Sequence, residues 1–219
     1  TSRSLILVTP DGERTMNTFL GISTDLDQGE IDAGVIAQSK IVYLEGYLFD
    51  RPEAKAAFRQ AVSVARGAGR KVALTLSDGF CVDRHRAEFL DLIRNGVDIL
   101  FANESEIKSL YQTDDFDTAA AAIERDARLV ALTRSAKGSL VINGSERVSI
   151  PVYPVAKVED TTGAGDLYAA GFLYGIAHDL GLETAGRLGS LAAAEIISHV
   201  GARPSVSLQK LARDNGIKV

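Results

Sequence analysis

The sequence has one cysteine, Cys81, so no disulfide can close within the chain. It has no tryptophan, one methionine and three histidines, and the histidines stand too far apart for a zinc-type spacing. No apolar run approaches the roughly 20 residues that span a bilayer. Positive charge is in deficit, with 24 Lys+Arg against 29 Asp+Glu and a net charge of −5. That balance speaks against a surface built for nucleic acid or anionic lipid, so a bound anion must be held locally by backbone N–H groups. The first residue is Thr1, and a strand-like run follows without a basic n-region or cleavage pattern. We therefore expect a beginning that has been cut away and a reducing, cytoplasmic compartment.

What is present is the composition of a packed domain, 46% hydrophobic and 24% charged. Residues 4–9 and 14–20 flank the turn-forming Pro10, Asp11 and Gly12, which predicts a hairpin. From residue 30 short β-branched runs alternate with amphipathic stretches. Strands are expected at 40–45, 71–76, 98–103 and 129–133, with helices at 52–66, 83–96 and about 104–126. Continuous apolar strands separated by crossovers of a dozen or more residues imply a parallel-centred α/β sheet. A second hairpin is expected around Asn143 and Gly144 at the sheet edge. Three apolar helices, about 164–179, 183–199 and 207–215, close the chain.

The most specific segment is 156–181. Gly163 and Gly165 let the backbone approach a ligand, and the small-residue run after them reads as a buried helix. Free N–H groups at its start, with the positive end of the dipole behind them, suit phosphate oxygens or charge developing during their transfer. Asp166 falls in or beside the first turn, where an ionised carboxylate can take a proton from an attacking hydroxyl. Taken alone, GAGD is more often a turn with a dipole-compensating Asp. A Rossmann fingerprint is weaker still, because Tyr168 occupies the place of its small third residue, and no Walker A spacing occurs. Cys81 and His85 lie four apart, but no orienting partner or oxyanion hole is evident for a nucleophile pair, so Cys81 reads as a small buried hydrophobe.

The longer string DTTGAGDLYAAGF resembles the second signature of the ribokinase-like (PfkB) family of sugar and nucleoside kinases. NESE (103–106) resembles its NxxE motif, TRSAKG (133–138) its nucleotide loop and GARPSV (201–206) its closing segment. YLEGYLF (43–49) matches a substrate-side strand end and DGERT (11–15) the second lid strand. The resemblance implies a three-layer α/β/α fold with a mostly parallel central sheet and a small β lid, residues 1–22 being part of the lid and 23–219 the nucleotide-binding and catalytic core. Family members begin with roughly another third of chain, including the first lid and sheet strands. Those segments are absent here.

Carried over residue by residue, the resemblance makes Asp166 the catalytic base and Thr162, Gly163, Ala164 and Gly165 the anion hole. Asn103 and Glu106 would help position ATP and hydrated Mg²⁺, Glu106 acting through water. On their own, such residues at a helix start are more often a cap and capping box. Thr133, Arg134, Ser135, Lys137, Gly138, Gly165 and Ser190 would contact the nucleotide, with Ser135 standing where the family has Gly. A K⁺ site would draw on Asp160, Thr162, Ile196, His199, Gly201 and Ser205. Glu45 would meet the acceptor substrate, and the lid would join two copies as a homodimer.

ERTMNTFLG, YLEGYLFD, TLSDGFCVDRHR and FANESE are closest to bacterial members described as adenosine or nucleoside kinases. The resemblance thus implies ATP-dependent phosphorylation of a ribose-containing nucleoside, adenosine first. The alternatives are a kinase of a free sugar of the ribose, fructose or ketodeoxygluconate type, or a nucleotide-binding fragment without catalysis. Met16, Phe19 and Phe49 are candidate stacking surfaces for a base, or simply lid and core packing.

Overall fold

The computed structural model describes residues 1–219. Strands β1 (Arg3–Val8) and β2 (Arg14–Phe19) pair antiparallel, Arg3 opposite Phe19 and Val8 opposite Arg14. Strands β3 (Ile41–Glu45), β4 (Lys71–Thr75), β5 (Ile99–Asn103), β6 (Leu129–Thr133), β7 (Ser139–Asn143) and β8 (Glu146–Ile150) form one sheet in that spatial order. Its first four strands are parallel. The helices are α1 (Ala33–Gln38), α2 (Pro52–Gly67), α3 (Gly79–Gly96), α4 (Glu104–Tyr111), α5 (Phe116–Ile123), α6 (Ala164–Ala177), α7 (Leu182–Ile196) and α8 (Leu208–Asp214). Strand order in the sheet equals strand order in the chain because each parallel neighbour is reached through a helical crossover, α2, then α3, then α4 with α5.

The residues gather into two compact groups. The first holds Thr1–Ser2, Leu20–Thr133 and Ile142–Arg147, the second Arg3–Phe19, Arg134–Val141 and Val148–Val219. In the first, Val72, Ala73 and Leu74 of β4 are all fully buried, as a strand covered on both faces requires. Pro52 opens α2 at a position where its missing N–H is harmless, and Ala54, Ala57, Phe58, Ala61, Val62 and Ala65 make its buried stripe. Phe49 belongs to this core and not to a ligand surface: it is 3% exposed and stacks on Phe89 at 4.3 Å between ring centroids.

Three boundaries differ from the sequence reading. Helix α3 begins at Gly79, four residues before the expected 83, because Asp78 accepts a hydrogen bond from the Phe80 amide at 3.3 Å. The single helix expected over 104–126 is two. Gln112 at φ 52 ends α4 in the left-handed region, and Asp115 restarts the helix by accepting from the Thr118 amide at 2.7 Å. Helix α1 lies where periodicity is silent and is capped by Asp32 through the amides of Gly34 and Val35.

In the second group α6 lies against α7 at a separation only glycine permits, since a Cβ on Gly171 would stand 2.5 Å from the Leu188 carbonyl oxygen. Ala212 of α8 and the neighbouring Ile217 bury with Leu188 and Leu191 of α7. The hairpin strands β1 and β2 are exposed at every residue, including Leu5, Leu7, Met16 and Phe19. No helix is long and apolar enough to cross a membrane.

Candidate active site

In the first group, Glu45, Asn103 and Thr133 are the last residues of β3, β5 and β6. Parallel strands put all three at the carboxyl edge of the sheet, where open α/β folds bind ligands. The Ser77 hydroxyl donates to Glu45 Oε2 at 3.1 Å. Asn103 is the N-cap of α4, its Oδ1 accepting from the Glu106 amide at 2.8 Å. In return Glu106 accepts from the Asn103 amide through Oε2 at 2.9 Å and from Asn103 Nδ2 through Oε1 at 2.7 Å.

This is a capping box, and it engages both oxygens of a carboxylate that is only 6% exposed. Burial pushes the Glu106 carboxyl up to about 7; the Asn103 amide opposes the shift, and the like charges of Asp78 and Glu45 add to it. With each oxygen already accepting a hydrogen bond in a nearly closed setting, the carboxylate is poorly placed for direct ligation. The pair fits Mg²⁺ only through the ion's own water shell, which is how that ion commonly binds.

In the second group, the stretch from Asp160 to Asp166 turns into α6. Gly163 sits at φ 82 as the residue before the helix, a conformation that disfavours a side chain, and its missing Cβ would lie 3.5 Å from Ala202. No side chain caps α6. The Ala164 amide bonds to the Thr161 carbonyl at 3.2 Å. The amides of Gly165 and Asp166 make no such bond within the protein, and both residues are exposed. The arrangement is thus an open helix start with a carboxylate in its first turn.

Asp160 beneath it is 2% exposed. Oδ1 accepts from the Thr162 amide at 2.9 Å and Oδ2 from the Gly201 amide at 3.0 Å. Burial works to raise this carboxyl, but the bonds from Thr162 and Gly201, with the charge of Arg14, bring it below its ordinary value.

Two residues here escaped the sequence reading. Arg14 of the hairpin donates to Thr161 Oγ1 at 3.0 Å, and Thr161 donates from both N and Oγ1 to the Gly12 carbonyl, at 3.0 and 3.1 Å. Glu195 of α7 is 8% exposed, and its Oε1 accepts from the Ser205 amide at 2.8 Å, the Ser205 hydroxyl at 2.7 Å and His199 Nε2 at 3.2 Å. A lone acid in the apolar run LAAAEII was the available signal. Asp160 and Glu195 therefore hold the segment 199–205, which contains three of the residues matched to a K⁺ site. Glu195 Oε2 and Thr162 Oγ1 are buried without a hydrogen-bond partner. Two such oxygens fit a weakly hydrated cation, because an unpaired buried oxygen is otherwise costly. Ile196, buried at the end of α7, offers only its backbone.

The remaining nucleotide-loop residues fold as a tight turn. The Arg134 amide donates to the Gly138 carbonyl at 2.8 Å and the Lys137 amide to the Arg134 carbonyl at 2.9 Å. Gly138 is at φ 81, where a Cβ would collide with the Ile150 carbonyl at 2.1 Å. Ser135 stands at φ 49, a left-handed conformation that glycine adopts more cheaply. Lys137 is exposed, whereas Ser190 is buried and its hydroxyl donates to the Pro151 carbonyl at 2.9 Å.

Known proteins share both the fold and these segments. The structure of a probable sugar kinase from Rhizobium etli CFN 42 superposes with a TM-score of 0.97 at 48% identity, covering 100% of this chain and 66% of that one. The structure of adenosine kinase from Sinorhizobium meliloti gives 0.96 at 51% identity, covering 98% of this chain and 66% of that one. An uncharacterized sugar kinase of Archaeoglobus fulgidus is 28% identical over 201 residues, 91% of this chain and 78% of that protein. The chain thus spans just under two thirds of the length of those two solved structures. The pfkB family carbohydrate kinase pattern matches residues 1–209, and the chain belongs to that family.

Proposed function

We propose that this chain carries the ATP-binding and catalytic portion of a kinase that transfers the γ-phosphoryl group of ATP to a hydroxyl of a ribose-containing nucleoside, adenosine in preference. The observation that carries the reading is the open start of α6, with unbonded amides at Gly165 and Asp166 and an exposed carboxylate in the same turn. As the acceptor oxygen forms its bond to the γ-phosphorus, its proton passes to the Asp166 carboxylate. The bond from phosphorus to the ADP oxygen breaks, and charge on the transferred group meets the amides of Gly165 and Asp166 and the positive end of the α6 dipole.

ATP is taken by Thr133 to Gly138 with Asn103. Ser190 acts there by shaping the wall, since its hydroxyl is held by Pro151. Bound Mg²⁺ supplies charge neutralisation on the phosphates, and Glu106 orients Asn103 and the ion's waters. Asp160, Thr162, Ile196, His199, Gly201 and Ser205 hold K⁺, which fixes the charge balance beneath the anion hole. Glu45, oriented by Ser77, receives the acceptor substrate. Residues 1–22 serve as part of the β lid and as the contact in a homodimer, residues 23–219 as the nucleotide-binding and catalytic core, and the enzyme works in the cytoplasm on small molecules.

Adenosine is favoured by the 51% identity to the protein named adenosine kinase. A free sugar is the second reading, favoured by the 48% identity to the protein named probable sugar kinase. A panel of adenosine, other nucleosides, ribose, fructose and ketodeoxygluconate, each with ATP and Mg²⁺ and with ADP release as readout, separates them. Adenosine should give the highest kcat/KM. A free sugar outrunning every nucleoside would replace the first reading with the second.

A further inference from the structure

On the first group, the turn after β3 meets the first turns of α3. The carboxylate of Asp50, the thiol of Cys81 and the imidazole of His85 each offer a donor atom there, and the three lie within 4.8 Å of one another. Cys81 and His85 are four apart on α3, so they share a face. His85 itself departs from helical geometry at φ −123, ψ 21. Its Nε2 lies 2.8 Å from Asp50 Oδ1, and its Nδ1 lies 3.3 Å from Glu88 Oε2. The orienting acid that the Cys81 and His85 pair lacked in the sequence is therefore present. Cys81 does not use it for nucleophilic chemistry, because Sγ donates to the Gly46 carbonyl at 3.3 Å and burial pushes the thiol up to about 11.

We propose that Asp50, Cys81 and His85 form a binding site for a thiophilic divalent cation of the Zn²⁺ class, with Glu88 as the outer carboxylate behind His85. One sulfur, one imidazole nitrogen and one carboxylate oxygen suit a borderline-soft ion, where Mg²⁺ or Ca²⁺ would demand oxygens alone. A ligating histidine commonly donates its other ring N–H to a carboxylate, and Glu88 stands at that nitrogen. Glu88 is itself fixed by Lys55 Nζ at 2.5 Å and by Arg59 at 3.8 Å. Asp50 is exposed, which leaves the site a path to solvent.

The metal-free state is balanced by protein cations. Arg84 forks onto Asp50 with its Nε 3.0 Å from Oδ1 and its Nη2 2.9 Å from Oδ2, and Lys55 Nζ lies 3.2 Å from His85 Nδ1. Binding exchanges these contacts. Bonds form from the ion to Sγ, Nε2 and an Asp50 oxygen, the thiol proton leaves to solvent, and the imidazole proton resides on Nδ1 facing Glu88. Arg84, whose side chain is 51% exposed, swings into water and Lys55 stays on Glu88. Water or the Gly46 carbonyl completes the shell.

The test is titration of the chelator-stripped 219-residue chain with Co²⁺, read as thiolate-to-cobalt charge transfer, and with Zn²⁺ by calorimetry. Because Cys81 is the only thiol, such a band can arise nowhere else. We expect one ion per chain, about one proton released with it, no band in Cys81→Ala, and affinity lower by about 10 to 100-fold in Glu88→Gln. Asp50→Asn, at an exposed position, should also weaken binding and keeps the test decisive if Cys81→Ala fails to fold. No saturable binding, no thiolate band, or equal affinity in the parent and Asp50→Asn would overturn the proposal.

Discussion

At the start of α4 an asparagine and a glutamate close on each other, so the cap side chain, its own amide and the Glu106 amide are all engaged within three residues. At the start of α6 no side chain closes the end; a glycine in the left-handed region precedes it and two amides face outward. Both helices follow a strand or loop in the same αβ fold, and both put an acid in the first turn. The closed end has spent its acid on structure, at 6% exposure, whereas the open end leaves Asp166 exposed. An acid in a helix first turn is thus no sign of chemistry by itself; what matters is whether the donors around it are already used.

The largest expected effect breaks the comparison at its open end. Asp166→Asn should lower turnover by about 10² to 10⁴-fold while fold and ATP affinity stay as in the parent, since the carboxylate is the proton acceptor and the amides are spared. Turnover within about threefold of the parent, measured with ATP and the best acceptor, would make Asp166 another dipole-compensating acid.

The closed end should show itself in the pH dependence of stability. Burial raises the Glu106 carboxyl from 4.5 to about 7 in the folded state. Below 4.5 both folded and unfolded chains hold this proton; between 4.5 and about 7 only the folded chain does. The contribution is therefore full at acid pH and is lost as pH rises to about 7, by at most about 3 kcal/mol. Urea melts across this window should show that decline in the parent and a flatter profile in Glu106→Gln. Superimposable profiles would mean that Glu106 does not titrate there.

Asn103→Ala removes the cap and one donor to a buried carboxylate, and should cost about 2 kcal/mol of unfolding free energy in the same melts. Gly163→Ala places a side chain at φ 82, so the open end should lose about 1 kcal/mol, less than the closed one. The reverse order would mean that α6 depends on its turn more than α4 depends on its cap.

The sheet was legible in the sequence because Val72 to Leu74 and their counterparts are apolar without interruption, as a strand covered on both faces requires, and are short and spaced by longer amphipathic stretches. The break between α4 and α5 was marked only by the polar run of residues 112–115, since Gln112 in the left-handed region has no glycine to announce it. Phe49 read as a base-stacking candidate for want of the tertiary partner that decides the matter, Phe89, forty residues on. The GAGD turn was legible as the start of a buried helix, yet its supports were hidden. Glu195 reaches Ser205 across ten residues, and Arg14 reaches Thr161 across 147. The cluster at His85 was half visible, with Cys81 and His85 four apart and Asp50 contributed from a different element.

The bonds between Gly12 and Thr161 make the hairpin a cantilever. Its strands are exposed along their whole length, while its turn is moored by two hydrogen bonds from Thr161 and by the buried Gly12, on which a Cβ would meet Val158 at 2.7 Å. The root of the arm is bonded to the residue just ahead of Thr162 and Gly163. The hairpin turn and the segment that opens α6 are thus hydrogen-bonded through one threonine.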